Sequence, residues 1–211
     1  MLSCALSLAV RILILPLLLL LALAAFSSLS FAHASAQLTN TSTAATTTYT
    51  VQGDSLTVDS ASFTKEVLKG WHRRSLSAQI GRHYWDGWPL LRKQPLGQVV
   101  IFALGTNDWQ SYLSVYTSTI KKILAYIGPK RCLVMATIYD HGAINSWNRG
   151  LRKLAQSVGP RRMQVAEWAR MVTDHTVKLA DGVHPSRSWD WRLRGQVIAD
   201  AAQACKPRLI K

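Results

Sequence analysis

Strand-like and helix-like segments alternate along most of this chain, and that alternation limits the folds open to it more than any other feature. The strand-like segments are 48–52, 75–80, 98–104, 131–138 and 162–168. Two of them, 98–104 and 131–138, are apolar almost throughout, as in strands covered on both faces of a sheet. Apolar residues at three- and four-residue spacing predict helices over 112–127, 144–158 and 189–204. The pattern predicts an α/β fold, a three-layer α/β/α sandwich around a parallel sheet of about five strands.

The beginning of the chain has the order of regions found in a secretory signal. Residues 1–36 contain a single basic residue, Arg11, and no acidic residue, and an apolar run follows over residues 12–26. That run is short for a membrane span, and small residues precede a cleavage point at Ala36. We therefore expect residues 1–36 to be a signal peptide that directs export. An uncleaved N-terminal anchor is the alternative.

The rest of the chain divides into a short linker and one domain. Residues 37–47 are rich in Thr, Ser and Ala and uncharged, which predicts a flexible linker. The domain is then 48–211. A hydrophobic content of 48% with 17% charged residues excludes a disordered protein, and the length is sufficient for a core that folds by itself.

Two cysteines, Cys132 and Cys205, remain after the predicted cleavage. An even pair in an exported protein is consistent with a disulfide, and two separately buried thiols are the alternative. The sequence contains no H-x-x-x-H or C-x-x-C pair. We therefore expect no metal site and no cofactor.

The chain is strongly basic, with 25 Lys and Arg against 11 Asp and Glu and a net charge of +14. Such a charge attracts nucleic acid, anionic membranes or anionic polymers of a cell envelope. The basic residues are scattered over several predicted elements, and no nucleic-acid-binding motif accompanies them. Export favours an envelope polymer, so we expect no nucleic-acid partner and membrane contact only if the leader is uncleaved.

Three polar clusters follow predicted strands or precede the last helix, where a parallel sheet binds its ligands. GDSL at 53–56 places a serine hydroxyl at the turn into a helix, beside free backbone amides. GTND at 105–108 offers an asparagine amide that can donate to a developing oxyanion. In DGVH at 181–184, a carboxylate three residues before an imidazole can hold the Nδ1 proton and leave Nε2 as a base. Each cluster by itself is also typical of an ordinary turn.

Together and in this order, the three clusters resemble the sequence blocks of the SGNH hydrolases, also called GDSL esterases or lipases. More narrowly, the chain resembles the small SGNH domains fused to bacterial membrane acyltransferases, and Gly81 fits the family's second block. The resemblance implies a flavodoxin-like SGNH fold with Ser55 as nucleophile, His184 as general base and Asp181 as its orienting partner. It also implies an oxyanion hole made of the backbone amides of Ser55 and Gly81 and the side chain of Asn107.

These residues predict an exported serine esterase or deacylase. Its substrates would be O-acyl esters, with O-acetyl groups expected, on a small molecule or a cell-envelope polysaccharide. Trp85, Asp108 and Trp109 are expected at the substrate rim because they adjoin the Gly81 and Asn107 loops. Two alternatives stay open: an O-acyltransferase that uses the same serine, and an envelope-binding domain that has lost turnover. The sequence does not indicate an oligomeric state.

Overall fold

The structure is a computed structural model that describes residues 46–108, 113–139 and 145–205. The predicted signal peptide and the linker up to residue 45 lie outside the described residues. The strands are β1 (Thr48–Gly53), β2 (His72–Ala78), β3 (Val99–Ala103), β4 (Cys132–Ala136) and β5 (Met163–Ala166). The helices are α1 (Ser55–Val67), α2 (Tyr84–Leu91), α3 (Leu113–Ile127), α4 (Asn145–Val158), α5 (Trp168–Thr173) and α6 (Ser188–Ala204). Among the helices in these ranges, none has the length and apolar character needed to cross a membrane.

The five strands form one parallel sheet in the order β2-β1-β3-β4-β5. From β1 the chain moves outward to β2, and from β3 it moves outward in the other direction, so the order reverses between β1 and β3. Ligands of such sheets bind in the crevice at that reversal, beyond the carboxyl ends of the strands. The register pairs Gly53 with Ala103 there. The predicted three-layer α/β/α fold is confirmed.

The central strands β3 and β4 match the prediction closely, and the edge strand β2 does not. Every residue of β3 and β4 is buried, as expected from their unbroken apolar sequences. Strand β2 begins at His72, three residues before the predicted start at residue 75. Its first residues pair with β1 at Thr48 and Tyr49, so sheet pairing extends the strand into the polar segment His72–Arg74 that hydropathy alone does not mark.

Helices cover both faces of the sheet. On one face, α2, α3 and α4 bury an apolar cluster that includes Tyr84, Ile123 and Leu151. On the other, α6 packs beside α1 and covers β3, β4 and β5, while α1 contacts β1, and Ile198 and Ala199 of α6 belong to the apolar cluster buried there. This arrangement brings the start of α1 and the segment before α6 to the same side of the sheet.

Two short helices, α2 and α5, were not predicted. The sequence of α2 contains Gly87 and Pro89, which weaken any helical pattern. Its first amide, on Tyr84, donates to Oδ2 of Asp108 at 3.1 Å, a contact between distant parts of the sequence. Capping by the distant Asp108 and burial therefore stabilise a helix that its own sequence does not predict.

Cys132 and Cys205 form a disulfide, with their Cα atoms 5.9 Å apart. Cys132 begins β4, and Cys205 directly follows α6. The bond therefore fastens the end of the last helix to the sheet at the edge opposite the carboxyl ends of the strands.

Candidate active site

The turn between β1 and α1 presents Ser55 at the first position of the helix. Gly53 is required there, because a Cβ at this position would lie 2.0 Å from Oγ1 of Thr57. The buried Asp54 caps the helix, since its Oδ1 accepts from the amide of Leu56 at 3.0 Å. The amide of Ser55 itself donates no hydrogen bond to another described residue, so it is available to a ligand.

Ser55, His184 and Asp181 form a continuous hydrogen-bonded chain. Oγ of Ser55 lies 2.8 Å from Nε2 of His184, and Nδ1 of His184 lies 2.7 Å from Oδ2 of Asp181. Because a carboxylate only accepts, Nδ1 carries a proton and Nε2 is left to accept from the serine hydroxyl. This geometry can remove the serine proton as the oxygen attacks an electrophile.

The carboxylate of Asp181 is held in its ionised form by hydrogen bonds. Its Oδ1 accepts from the backbone amides of His184 at 2.7 Å and Val183 at 3.0 Å. The bonds from His184, first from its backbone and then from its ring, hold the pKa of Asp181 well below its ordinary 3.8. A charged Asp181 fixes the tautomer of the imidazole over the whole neutral range.

The Asp181–His184 segment is the tip of a small hairpin. Leu179 and Pro185 form an antiparallel bridge, and the amide of Ala180 donates to the carbonyl of His184 at 2.7 Å. The imidazole is thus positioned by a loop whose own backbone bonds set its shape.

The other predicted donors lie at the neighbouring strand ends. Gly81 has φ +72°, a conformation that glycine adopts without strain, and its amide donates to no other described residue. The side-chain amide of Asn107 donates to the carbonyl of Arg82 at 3.1 Å, which joins the Asn107 turn to the Gly81 loop. A primary amide has two hydrogens, so one remains for a ligand. The amides of Ser55 and Gly81 and the side chain of Asn107 therefore follow three adjacent strands, β1, β2 and β3.

Solved structures with the same arrangement of elements were found by structural comparison. The C-terminal catalytic domain of peptidoglycan O-acetyltransferase A from Streptococcus pneumoniae, solved with a methylsulfonyl adduct, has a TM-score of 0.61 and 19% identity, covering 76% of this chain and 94% of that domain. A lipolytic protein of the G-D-S-L family from Veillonella parvula has a TM-score of 0.58 and 13% identity, covering 72% and 96%. This chain has the SGNH hydrolase fold. The sequence itself matches no protein-family model and no curated protein.

Within this SGNH fold, Arg82 is a site residue that sequence reasoning missed. Its Nη1 donates to Oε1 of Gln52 at 3.0 Å, to the carbonyl of Ser77 at 2.6 Å and to the carbonyl of Gly53 at 3.4 Å. Burial lowers the pKa of Arg82, although the side chain remains a cation. Arg82 therefore ties the ends of β1 and β2 together beside the serine. One arginine in so basic a chain gives no sequence signal.

Asp190 is a second missed residue, and it anchors the histidine hairpin. Its side chain is fully buried and accepts two hydrogen bonds of 2.7 Å from the guanidinium of Arg187. These bonds lower its pKa most, and a further bond from the backbone of Lys178 contributes. Since Lys178 also accepts from the amide of Ser186 at 2.9 Å, Asp190 fixes the base of the hairpin to α6. The sequence signal was an acid in the first turn of a helix, which is common.

The three predicted rim residues have different outcomes. Trp85 is 39% exposed and stacks on the ring of His83. The carboxylate of Asp108 is turned inward, toward His83 and the amide of Tyr84, and burial raises its pKa. Trp109 lies outside the described residues. Within the described ranges, no group of three or more His, Cys, Asp or Glu side chains is arranged to hold a metal ion.

Proposed function

We propose that this chain is an exported serine enzyme that removes O-acetyl groups from cell-envelope glycans. The observation that carries the proposal is the hydrogen-bonded chain from Ser55 through His184 to Asp181. Hydroxyl groups of serine are poor nucleophiles at neutral pH, and an adjacent oriented imidazole is what activates them. Ser55 stands at the carboxyl edge of the sheet, where α/β proteins of this kind bind their ligands.

The chemistry would follow two steps. Oγ of Ser55 attacks the acyl carbonyl carbon while Nε2 of His184 takes its proton, and the amides of Ser55 and Gly81 with Asn107 donate to the resulting oxyanion. When the intermediate collapses, the alcohol leaves with the proton from His184, and the acyl group stays on Ser55. Water then attacks this ester and loses its proton to His184, which passes the proton to Oγ of Ser55 as the acyl–oxygen bond breaks and the carboxylic acid is released.

Two observations support an envelope glycan as the alcohol. The neighbouring structure with a TM-score of 0.61 is described as a peptidoglycan O-acetyltransferase. The net charge of +14 would concentrate anionic envelope polymers near the surface, over a screening distance of about 8 Å at physiological salt.

The test is active-site labelling combined with turnover of 4-nitrophenyl acetate. A fluorophosphonate probe should label Ser55, and Ser55→Ala and His184→Ala should each lower kcat by roughly 10³-fold or more, with the double variant little worse. Ser157→Ala is a matched control, because that exposed hydroxyl donates to the carbonyl of Leu154 within its own helix, α4. Full activity in Ser55→Ala would contradict the mechanism. Absence of labelling with retained glycan binding would instead favour a non-catalytic envelope-binding domain.

An O-acyltransferase is the second candidate, supported by the O-acetyltransferase neighbour. Both reactions share the acyl-Ser55 intermediate and differ in whether water or a sugar hydroxyl accepts the acyl group. Turnover of 4-nitrophenyl acetate in the presence of N-acetylglucosamine oligosaccharides separates them. Acetylated oligosaccharide in excess over free acetate would assign the chain as a transferase.

Export is part of the proposal and rests on residues 1–36, with the disulfide as support, because such bonds persist in oxidising compartments. The mature chain should begin near Gln37. Amino-terminal sequencing of protein from the envelope fraction tests this, and a chain that still begins at Met1 would favour the anchor.

A further inference from the structure

A second His–Asp pair lies at the carboxyl edge of the sheet. Nδ1 of His83 is 2.9 Å from Oδ1 of Asp108. These residues are 25 positions apart and follow β2 and β3, whereas His184 and Asp181 precede α6. No step of the proposed reaction uses this pair.

The hydrogen bonds fix the state of the His83 ring. The side chain of Asp108 is 7% exposed, and its other oxygen accepts from the amide of Tyr84 at 3.1 Å. With Asp108 accepting, Nδ1 of His83 carries the proton and Nε2 is a hydrogen-bond acceptor. The His83 side chain is 32% exposed, and Nε2 has no hydrogen-bond partner among the residues the structure describes.

Trp85 stacks on the imidazole of His83 and restricts its orientation. The two rings are parallel within 7°, with centroids 4.1 Å apart, and Trp85 is itself 39% exposed. Stacking of this kind removes rotational freedom from the imidazole, so its acceptor is set in one direction before a ligand arrives. The surface thus combines an oriented acceptor with an exposed aromatic edge.

His83 adjoins the candidate oxyanion donors through the backbone. It follows Arg82, whose carbonyl accepts from the side chain of Asn107 and whose guanidinium reaches the carbonyl of Gly53. It precedes α2, which packs on the face of the sheet opposite α1 and α6. His83 and His184 therefore approach the edge of the sheet from its two helical layers.

We propose that His83 is a substrate-binding residue that accepts a hydrogen bond from a hydroxyl of the sugar in the ester's alcohol part, with Trp85 beside it. This inference rests on the proposed function. A sugar fits the chemistry because it offers many hydroxyl donors on a ring with apolar C–H faces, which pack on aromatic side chains. An acyl chain would leave the oriented acceptor unpaired.

Asp108 would then act through His83 and not by contact with substrate. A purely structural role is the competing explanation, because Asp108 also caps α2. The two explanations predict different effects when the ring nitrogens of His83 are removed. A structural role predicts loss of stability, and a binding role predicts a change confined to the sugar substrate.

The test compares two esters in His83→Phe, which keeps a flat ring for Trp85 and removes the acceptor. For an O-acetylated N-acetylglucosamine oligosaccharide, KM should rise by roughly three- to tenfold, the effect of one hydrogen bond, with kcat unchanged. The alcohol part of 4-nitrophenyl acetate carries no free hydroxyl group, so kcat/KM for this ester should stay within about twofold of the wild-type value. His83→Gln, which retains an acceptor, should recover most of the loss. His72→Phe, at the amino end of β2, is the matched control.

A binding measurement separates failure of this inference from failure of the proposed function. The unacetylated oligosaccharide is titrated by calorimetry into Ser55→Ala and into Ser55→Ala with His83→Phe. Weaker binding in the second protein supports the subsite, even if the wild type hydrolyses neither ester. Equal binding in both, no binding to either, or an equal loss on both esters accompanied by a lower unfolding temperature would overturn it.

Discussion

Removal of the disulfide between Cys132 and Cys205 should cost a large part of the chain's stability. Both residues are buried, and the bond closes a loop with a sequence separation of 73. In the chain-entropy treatment, a loop of that length removes about 4 kcal/mol of freedom from the unfolded state. Domains of this kind are stable by only about 5–15 kcal/mol, so the loss is a quarter or more of the total.

The same change should leave the chemistry intact. Cys132 begins β4, whereas Ser55 follows the end of β1. Because all the strands are parallel, these residues lie at opposite edges of the sheet. The variant with Cys132→Ala and Cys205→Ala should therefore keep its kcat/KM for 4-nitrophenyl acetate at temperatures where it remains folded.

Urea unfolding followed by tryptophan fluorescence measures the effect, and the chain contains 8 Trp as probes. With a slope of about 2 kcal/mol per molar urea, the midpoint should fall by roughly 2 M in the double variant. The wild type treated with reductant should shift by the same amount. A shift below about 0.5 M would refute the entropic reasoning, and two reactive thiols in the untreated, unfolded wild type would refute the bond itself.

Three further predictions concern the site. Asn107→Ala should lower kcat on 4-nitrophenyl acetate by ~10²–10³ with little change in KM, because an oxyanion donor acts mainly in the transition state; a pure KM effect would show ground-state binding instead. Hydrogen bonds hold the pKa of Asp181 below its ordinary 3.8, so protonation of this carboxylate should add no step to the pH profile of kcat above pH 4, and such a step, if absent in Asp181→Asn, would contradict the lowered pKa. The hydrogen bonds from Arg187 lower the pKa of Asp190, so the contribution of this carboxylate to stability is complete above the pKa of the unfolded chain, about 4, and is lost as pH falls through the lower folded value. Acid unfolding curves should show that contribution in the wild type and not in Asp190→Asn.

The parts of the fold that the sequence predicts best are those in which local pattern and burial agree. Strands β3 and β4 are apolar at nearly every position, and the structure buries each of their residues. Helices α3, α4 and α6 begin and end within one residue of their predicted bounds for the same reason, since their apolar stripes face the sheet. Strand β2 and helix α2 depend on pairing and capping by distant residues, which no local pattern records.

The candidate site likewise contains one pair of residues that a local sequence pattern predicts and one pair that only the fold brings together. Asp181 and His184 are three residues apart, so a short hairpin brings them together and the spacing itself is a signal. His83 and Asp108 make a pair of similar geometry across 25 residues. That pairing exists because β2 and β3 both flank β1 in the sheet, which places the loops after them on either side of the end of β1. A sequence motif could not have shown it.

Helix α6 is linked to several parts of the candidate site and of the sheet along its length. At its start, Asp190 fixes the hairpin that carries His184, and Cys205 fastens its end to β4. In its middle, the buried Arg194 lies over the ring of Trp168 at 4.9 Å. Burial lowers the pKa of Arg194 to about 10, while the charge of Asp54 opposes that change.

The interaction also acts in the other direction, on the turn that carries the nucleophile. Burial raises the pKa of Asp54, and the positive charge of Arg194 is the largest influence that lowers it again. Because Asp54 caps α1 through the amide of Leu56, a charged carboxylate there strengthens the turn at Ser55. Helix α6 thus helps to position the general base, His184, through Asp190 in its first turn. It also supports the turn at Ser55 through the buried cation Arg194. The alignment of Ser55 with His184 therefore depends on how α6 packs against α1, at a distance from any substrate.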